Sequence, residues 1–324
     1  MDPKIRLLRF SDRIQGIMKG KLLAPVLADV DPVSGSCNLD CEWCAQRDSR
    51  EAKIPLFMSV DTMKKLGPFC RKWGVKAWRM AGDSEPTLNQ NIHVLFKSGH
   101  DNGIDMGLIT NGTLLNKVKN LNYLTWIGIS LDAATAKTWS RLKGSPEKNF
   151  HKIMDNVRYI RKNFPNVEIT FKFTRWSNKL HLGRKDFSSK KKILKKNDNY
   201  DDAKLLPALA KKMNVNYFIH DALPKKPKYQ FDVCRGVSLY ATFGADHKFY
   251  LCCDRRNYYI LTNDYTRNNW RELYKLWGSP KHKKLIASIN PKKCPFCSKA
   301  WLNTIMENII LDGKYTKGYQ VNFI

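Results

Sequence analysis

Apolar, β-branched runs alternate with amphipathic stretches through the first two thirds of the chain. Six short runs read as strands: Val26–Val33, Ala77–Gly82, Met106–Thr110, Trp126–Leu131, Glu168–Thr174 and Val215–His220. Between them, apolar residues recur at helical spacing over Val60–Trp73, Ile92–Asn102, Phe150–Asn163 and Ala203–Met213. Strand followed by helix, repeated, predicts an α/β fold with a parallel sheet. The chemically useful polar residues fall just after strands, on the rim where (β/α) barrels place function, so a partial (β/α)6 TIM-like barrel is expected. Residues 1–23 form an N-terminal extension and 24–222 the core, with 178–200 too long and polar for a βα loop and therefore an insertion. After Asp221 the pattern changes. The run 224–228 (PKKPK) signals a linker, and Ser238–Phe243 with Lys248–Cys252 predicts a hairpin turning at Ala245–His247. Helices are expected over Trp270–Trp277, Pro280–Ile289 and Lys299–Leu311, making 223–324 a small α+β domain.

Composition adds compartment and charge. The 324 residues are 43% hydrophobic, enough for a substantial core. No run approaches about 18 apolar residues, so no membrane span is expected. The first residues lack the apolar core of a secretory signal. A cytoplasmic protein is the expectation, with nine cysteines kept reduced for metal or catalysis. Lysine and arginine number 57 against 29 acids, a net charge of +28. Residues 179–199 carry eight basic side chains and two Asp, and 267–299 carry nine and one acid, Glu272. Lysine runs are ordinarily solvated faces, but the deficit of acids goes beyond that. Such a field attracts polyanions: nucleic acid, an acidic peptide or an acidic redox protein. No common nucleic-acid-binding signature accompanies it.

Cys37, Cys41 and Cys44 follow the first expected strand in a CxxxCxxC spacing. Three thiolates so spaced can hold one face of an iron–sulfur cube and leave the fourth iron open. A structural zinc site is the alternative and needs a fourth Cys or His nearby; Cys70, the next thiol, sits in an expected helix. Further motifs follow in order: Gly82-Asp83-Ser84-Glu85-Pro86 after the second strand, Thr110-Asn111-Gly112 after the third, and Ser130-Leu131-Asp132 after the fourth. Together with Trp43 at the aromatic position of the cysteine motif, this set resembles the radical S-adenosylmethionine (SAM) superfamily over roughly residues 24–221.

The resemblance implies a 4Fe–4S cluster on Cys37, Cys41 and Cys44 whose open iron chelates SAM. One electron then splits SAM, giving a 5′-deoxyadenosyl radical that takes hydrogen from substrate. Glu85 and the Gly82–Ser84 backbone are the acceptors available to the SAM ammonium. Ser130 and Arg141 are the donors available to its carboxylate, though Arg141 also fits an ordinary solvated helix position. Trp43 can cover the cube or simply pack. Asn111 and Asp132 can bond the ribose or cap the turns that follow them.

Cys234, Cys252, Cys294 and Cys297 make a second set, closing in a CxxC. Four thiolates suit a zinc ion or a fully ligated cube equally well. Beside the motifs above, the segment resembles the twitch domain, the one-cluster half of the SPASM auxiliary domain, which implies one auxiliary 4Fe–4S cluster serving electron transfer. Two departures stand out. His247 occupies a hairpin position where the family often has glycine, and Cys252-Cys253 is doubled, with Cys252 taken as the ligand. The leading reading is a radical SAM enzyme that oxidises or modifies a peptide, a sugar or another small molecule. His220 and Asp221 are candidate proton acceptors at the end of the last barrel strand, where loop capping is the plainer role. Its cluster needs an acidic electron donor of flavodoxin or ferredoxin type, and Lys190–Lys196 and Lys281–Lys284 are the docking candidates. Two alternatives stay open: radical SAM modification of RNA, and a zinc-stabilised nucleic-acid-binding protein without enzymatic activity.

Overall fold

The computed structural model describes residues 7–41, 44, 46, 54–175, 199–221, 229–294 and 297–311. Trp43, the basic run 190–196 and the linker at 224–228 lie outside the described residues. The strands are β1 (Leu27–Val30), β2 (Val33–Ser34), β3 (Leu56–Phe57), β4 (Ala77–Met80), β5 (Asp105–Thr110), β6 (Trp126–Ser130), β7 (Glu168–Arg175), β8 (Asn216–Asp221), β9 (Tyr240–Phe243), β10 (Phe249–Tyr250) and β11 (Ile260–Thr262). The main helices are α1 (Ser11–Met18), α2 (Val60–Trp73), α3 (Ile92–Asp101), α4 (Ala136–Lys143), α5 (Lys148–Asn163), α6 (Leu206–Met213), α7 (Pro280–Ala287) and α8 (Ala300–Ile305).

Nine strands form one sheet in the order β11-β10-β9-β1-β4-β5-β6-β7-β8, and β2 pairs with β3 in a small separate ribbon. From β1 through β8 every pairing in the large sheet is parallel, the partial TIM-like barrel expected of the sequence. One crossover departs from the expected repeat. Between β5 and β6 the chain makes two short 3-10 turns, Leu115–Lys117 and Leu121–Tyr123, in place of a full helix. The helix α4 was not among the expected elements.

Alternate residues of each strand face opposite sides of the sheet. Ala28, Val30, Trp78, Met80, Leu108, Ile129 and Phe171 are buried against the helices. The register then places Asp29 beside Arg79 and Thr242, and Ser130 beside Lys172, on the inner face. Helix α2 shows how local sequence fixes an element. Ser59 Oγ accepts the Thr62 amide at its start, and Gly74 takes a left-handed φ of 105° at its end. The Ser59 cap contributes about 1 kcal/mol.

The C-terminal segment continues the same sheet. The hairpin of β9 and β10 forms as expected, and β9 lies parallel to β1. His247, in the turn, adopts a left-handed φ of 62°, and its ring nitrogen lies 3.3 Å from Thr62 Oγ1, a contact that helps hold the strained turn. Aromatic contacts bind this segment to α2: Phe69 meets Phe243 edge-on at 6.2 Å, and Trp73 meets Trp277 at 5.4 Å. The last expected helix splits into α8 and a wider π turn over Met306–Leu311. Among the described residues no helix is long and apolar enough to cross a membrane.

Candidate active site

The loop after β2 carries the first three cysteines, and the ends of the neighbouring strands hold it in place. Gly35 N–H donates to Asp83 Oδ1 at 3.3 Å and Ser36 N–H to Ser84 Oγ at 2.9 Å. In return Glu85 N–H donates to the Ser36 carbonyl at 3.0 Å. Asn111 Nδ2 donates to Asn38 Oδ1 at 2.8 Å, and Asn38 Nδ2 donates to Thr113 Oγ1 at 2.9 Å. Asp40 N–H donates to the Lys143 carbonyl at 3.2 Å, which ties the loop to the C-terminal end of α4. Gly82 sits where these segments meet, at φ 133°; an added Cβ would lie 3.3 Å from the Val33 carbonyl oxygen. Glycine is therefore required by conformation, and the space for a side chain is tight.

Cys37, Cys41 and Cys44 are half-buried neighbours. Burial pushes the Cys41 thiol up to about 11; Lys143 opposes that, and Cys44, Asp132 and Cys37 add to it. A soft three-thiol donor set with a cation beside it fits an iron–sulfur cube, because the cation favours the thiolate form that binds iron.

Glu85 is buried and already in use. Its Oε1 accepts from Thr87 N–H (3.1 Å), Thr87 Oγ1 (2.6 Å) and Thr110 Oγ1 (2.6 Å), and Oε2 accepts from Asn111 N–H (2.8 Å). The carboxylate thus joins the second and third motif loops and keeps acceptor capacity on Oε2. Asn111 Oδ1 accepts the Thr113 amide at 2.9 Å, the turn-capping role weighed for it. Asp132, at a left-handed φ of 57°, accepts Lys143 Nζ at 2.5 Å and Thr174 N–H at 2.7 Å, so its side chain is engaged within the protein. Ser130 ends β6 in register with Lys172, while Arg141 lies exposed on α4. His220 stands in register with Thr174 on the face of Lys172, its Nε2 3.1 Å from Thr174 Oγ1. Partial desolvation lowers its pKa, with Asp132 acting the other way and Lys172 reinforcing the shift. Asp221 is on the opposite face, in a two-pronged pair with Arg175 at 2.6 and 2.9 Å, and the structure does not bring it to the site. The thiol of Cys70 is buried in the core, as expected, and burial raises it to about 12.

In the C-terminal segment, Asn303 Nδ2 lies 3.7 Å from Cys234 Sγ and 4.0 Å from Cys297 Sγ, while its Oδ1 accepts Gly236 N–H at 2.7 Å. Cys252 is electrostatically coupled to Cys234, and Cys297 to both Cys234 and Cys294, so the four thiols are neighbours. Burial raises them all, Cys234 to about 11 and Cys297 to about 12. Among the described residues no three His, Cys, Asp or Glu side chains converge as the ligands of a single metal ion would. Cys253 faces elsewhere: Arg79 Nη2 lies 3.5 Å from its sulfur, and Arg79 is paired with Asp29 at 2.5 and 2.9 Å.

Sequence reasoning missed Lys143, Arg79, Lys172 and Asn303. Arg79 opens the string that carries the Gly82–Pro86 motif but was given no role, and the other three lie outside the strand-end motifs.

Comparison with known proteins adds to this geometry. Residues 32–174 match the family model of the radical SAM superfamily. This stretch is a radical SAM domain. The domain implies a 4Fe–4S cluster and SAM, which the three-cysteine loop suits. The chain is 27% identical over 112 residues to a probable GTP 3′,8-cyclase of Pyrococcus horikoshii, covering 33% of this chain and 35% of that protein. It is 26% identical over 121 residues to an S-adenosylmethionine-dependent nucleotide dehydratase of Flammeovirga pacifica, covering 36% and 41%. The matched stretch spans well under half the length of these relatives. Among solved structures, SuiB of Streptococcus suis bound to precursor peptide SuiA superposes with a TM-score of 0.56 at 14% identity, over 89% of this chain and 72% of that one. The protein anSMEcpe with bound AdoMet gives 0.55 at 14% identity, over 87% and 88%. These likenesses establish a shared fold over most of the chain.

Proposed function

We propose that the chain is a radical SAM enzyme with two iron–sulfur sites, the first on Cys37, Cys41 and Cys44 and an auxiliary one on Cys234, Cys252, Cys294 and Cys297. The observation that carries the reading is the docking of the cysteine loop onto the second and third strand-end motif loops, at Asp83, Ser84 and Asn111, and onto α4, whose Lys143 pairs in turn with Asp132. Cys37, Cys41 and Cys44 would hold the cluster, which would supply the one-electron reduction of SAM on which the family's radical chemistry depends.

The chain's own residues then have separable tasks. Glu85 Oε2 and the Gly82–Ser84 backbone accept from the SAM ammonium, and Ser130 and Arg141 donate to its carboxylate. Cys234, Cys252, Cys294 and Cys297 give a complete four-thiolate set, which suits electron transfer rather than substrate chelation and makes the segment twitch-like. His220, with its pKa lowered, is neutral near pH 7 and able to take the proton released when a substrate radical is oxidised. The exposed Lys281, Lys283 and Lys284 on α7 attract an acidic electron donor.

The test is the Cys37/Cys41/Cys44→Ala variant. It should lose 5′-deoxyadenosine production while retaining C-terminal iron, and persistent production would remove the assignment. A second reading keeps this chemistry and directs it at a nucleotide or RNA. The net charge of +28 favours it, as does the similarity to a GTP cyclase and a nucleotide dehydratase.

A further inference from the structure

We propose that Lys172 anchors an anionic oxygen group of the substrate, a phosphate or a carboxylate, on the inner face of the barrel. The proposal rests on the radical SAM reading only in calling the bound molecule a substrate; the anion site itself does not depend on it.

Lys172 lies in the middle of β7, between Ser130 on one neighbouring strand and Phe218 on the other. Its neighbours Phe171 and Phe173 are buried against the helices, so strand alternation turns Lys172 inward. The stem lies across Gly128: a Cβ there would come within 3.0 Å of Lys172 Cδ and 2.5 Å of the Trp126 ring. The missing side chain at residue 128 is thus what makes room for both.

The charged groups around this lysine are satisfied by one another. Asp29 pairs with Arg79 at 2.5 Å, Asp132 with Lys143 at 2.5 Å, and Asp31 with Arg256 at 2.5 Å. Among the described residues the Lys172 ammonium, unlike these cations, forms no hydrogen bond or ion pair. Its surroundings disfavour an isolated ammonium: burial, then the charge of Arg79, brings its pKa down to about 8. A partly buried ammonium without acceptors is held at a cost that an incoming anion removes. Arg79 adds to the positive potential of the same wall. Thr174, two residues on along β7, presents its hydroxyl on the same face.

The test uses anaerobically reconstituted protein, titrated calorimetrically with pyrophosphate and separately with citrate, with and without saturating SAM. Wild-type protein should bind at least one probe. Lys172→Met should weaken that binding about tenfold or more, the loss expected for one charge-assisted hydrogen bond. Lys172→Arg should keep most of it, and Lys64→Met, on the exposed side of α2, should leave it unchanged. Preference for pyrophosphate would identify a phosphate-bearing substrate, and preference for citrate a carboxylate-bearing one. Near-ultraviolet circular dichroism checks the fold of the Met variant, and the Arg variant carries the test if that fold is lost. The proposal is overturned if wild type binds neither probe at millimolar concentration, or if Lys172→Met binds them as wild type does. It is also overturned if that variant loses SAM affinity instead, which would give Lys172 to the SAM carboxylate. Because binding is read without turnover, failure to produce 5′-deoxyadenosine would count against the radical SAM reading alone.

Discussion

Replacing Lys143 by Met tests whether the Asp132–Lys143 pair holds the cysteine loop. Both side chains are nearly inaccessible, 4% and 10% exposed, and Nζ lies 2.5 Å from Oδ2. Methionine keeps the length of the stem and removes the charge, leaving Asp132 with its bond from Thr174 N–H alone. Removing one partner of a buried pair costs about 3–5 kcal/mol. The remaining amide bond places the expected loss near the lower end, about 3 kcal/mol at pH 7. The pH dependence provides a second check. In the wild type the Asp132 carboxyl is held below its usual value despite its burial, chiefly by Lys143. Its stabilisation is therefore complete above the unfolded pKa of about 3.9 and is lost only as pH falls through the lower folded value. Lys143 is raised by Asp132 against the effect of burial, so its contribution persists below about 10.4 and fades only above that. The pair is thus insensitive to pH across neutrality. In Lys143→Met, burial acts almost unopposed and lifts the Asp132 pKa above its unfolded value. The native state then binds more protons than the unfolded one, and stability must fall as pH rises through that window. Urea unfolding of iron-free protein at pH 5 and pH 8, followed by tryptophan fluorescence, should show a larger deficit at the higher pH. Adding Asp132→Asn should recover part of it. A deficit below about 1 kcal/mol with no pH dependence would place the pair among weak surface-type contacts and refute the reasoning.

Three further outcomes are expected. Reconstituted protein should carry about eight iron per chain; Cys252→Ala should lose about half of it and Cys253→Ala little, whereas four iron with one zinc would make the C-terminal site a zinc ribbon. Glu85→Gln turns an amide NH2 toward donors, so thermal stability and SAM affinity by equilibrium dialysis should both fall; no change in either would show that the carboxylate is dispensable. Replacing Lys281, Lys283 and Lys284 by Gln should slow flavodoxin-driven SAM cleavage at low salt and leave dithionite-driven cleavage intact, and equal slowing of both would remove the docking role.

The strands and longer helices were legible because their signals are local. Val60–Trp73 combines amphipathic spacing with Ser59 and Gly74 at its ends, and its bounds are those read from the sequence. Helix α4 escaped because its eight residues bury only Trp139, Leu142 and Lys143, too few to show a period. The cysteine loop and the three later motifs were legible as short strings, and the loop is hydrogen-bonded to the first two of them and to α4. Lys143 and Lys172 were not, since nothing near either residue distinguishes it among the chain's many basic side chains. Their meaning comes from closure of the barrel, which brings Lys143 to Asp132 and gives the Lys172 ammonium no ion-pair partner among the described residues.

The doubled cysteine shows how closely the two ends of the molecule are joined. Cys252 sits among the C-terminal thiols, whereas Cys253 receives Arg79 Nη2 at 3.5 Å. One residue on, Asp254 Oδ2 accepts both the amide and the hydroxyl of Ser298 at 2.7 Å, fastening the same turn to the closing CxxC. Two further on, Arg256 returns to the barrel and pairs with Asp31 on the chain leaving β1. Cys252 and Asp254 face the C-terminal thiols while Cys253 and Arg256 face the barrel, so a run of five residues serves two neighbouring sites at once. A hairpin that shares the sheet with β1 then fixes the spacing between them. The second thiol group therefore cannot drift relative to the inner face of the barrel without breaking the Arg256–Asp31 pair, and breaking a buried pair of this kind costs about 3–5 kcal/mol.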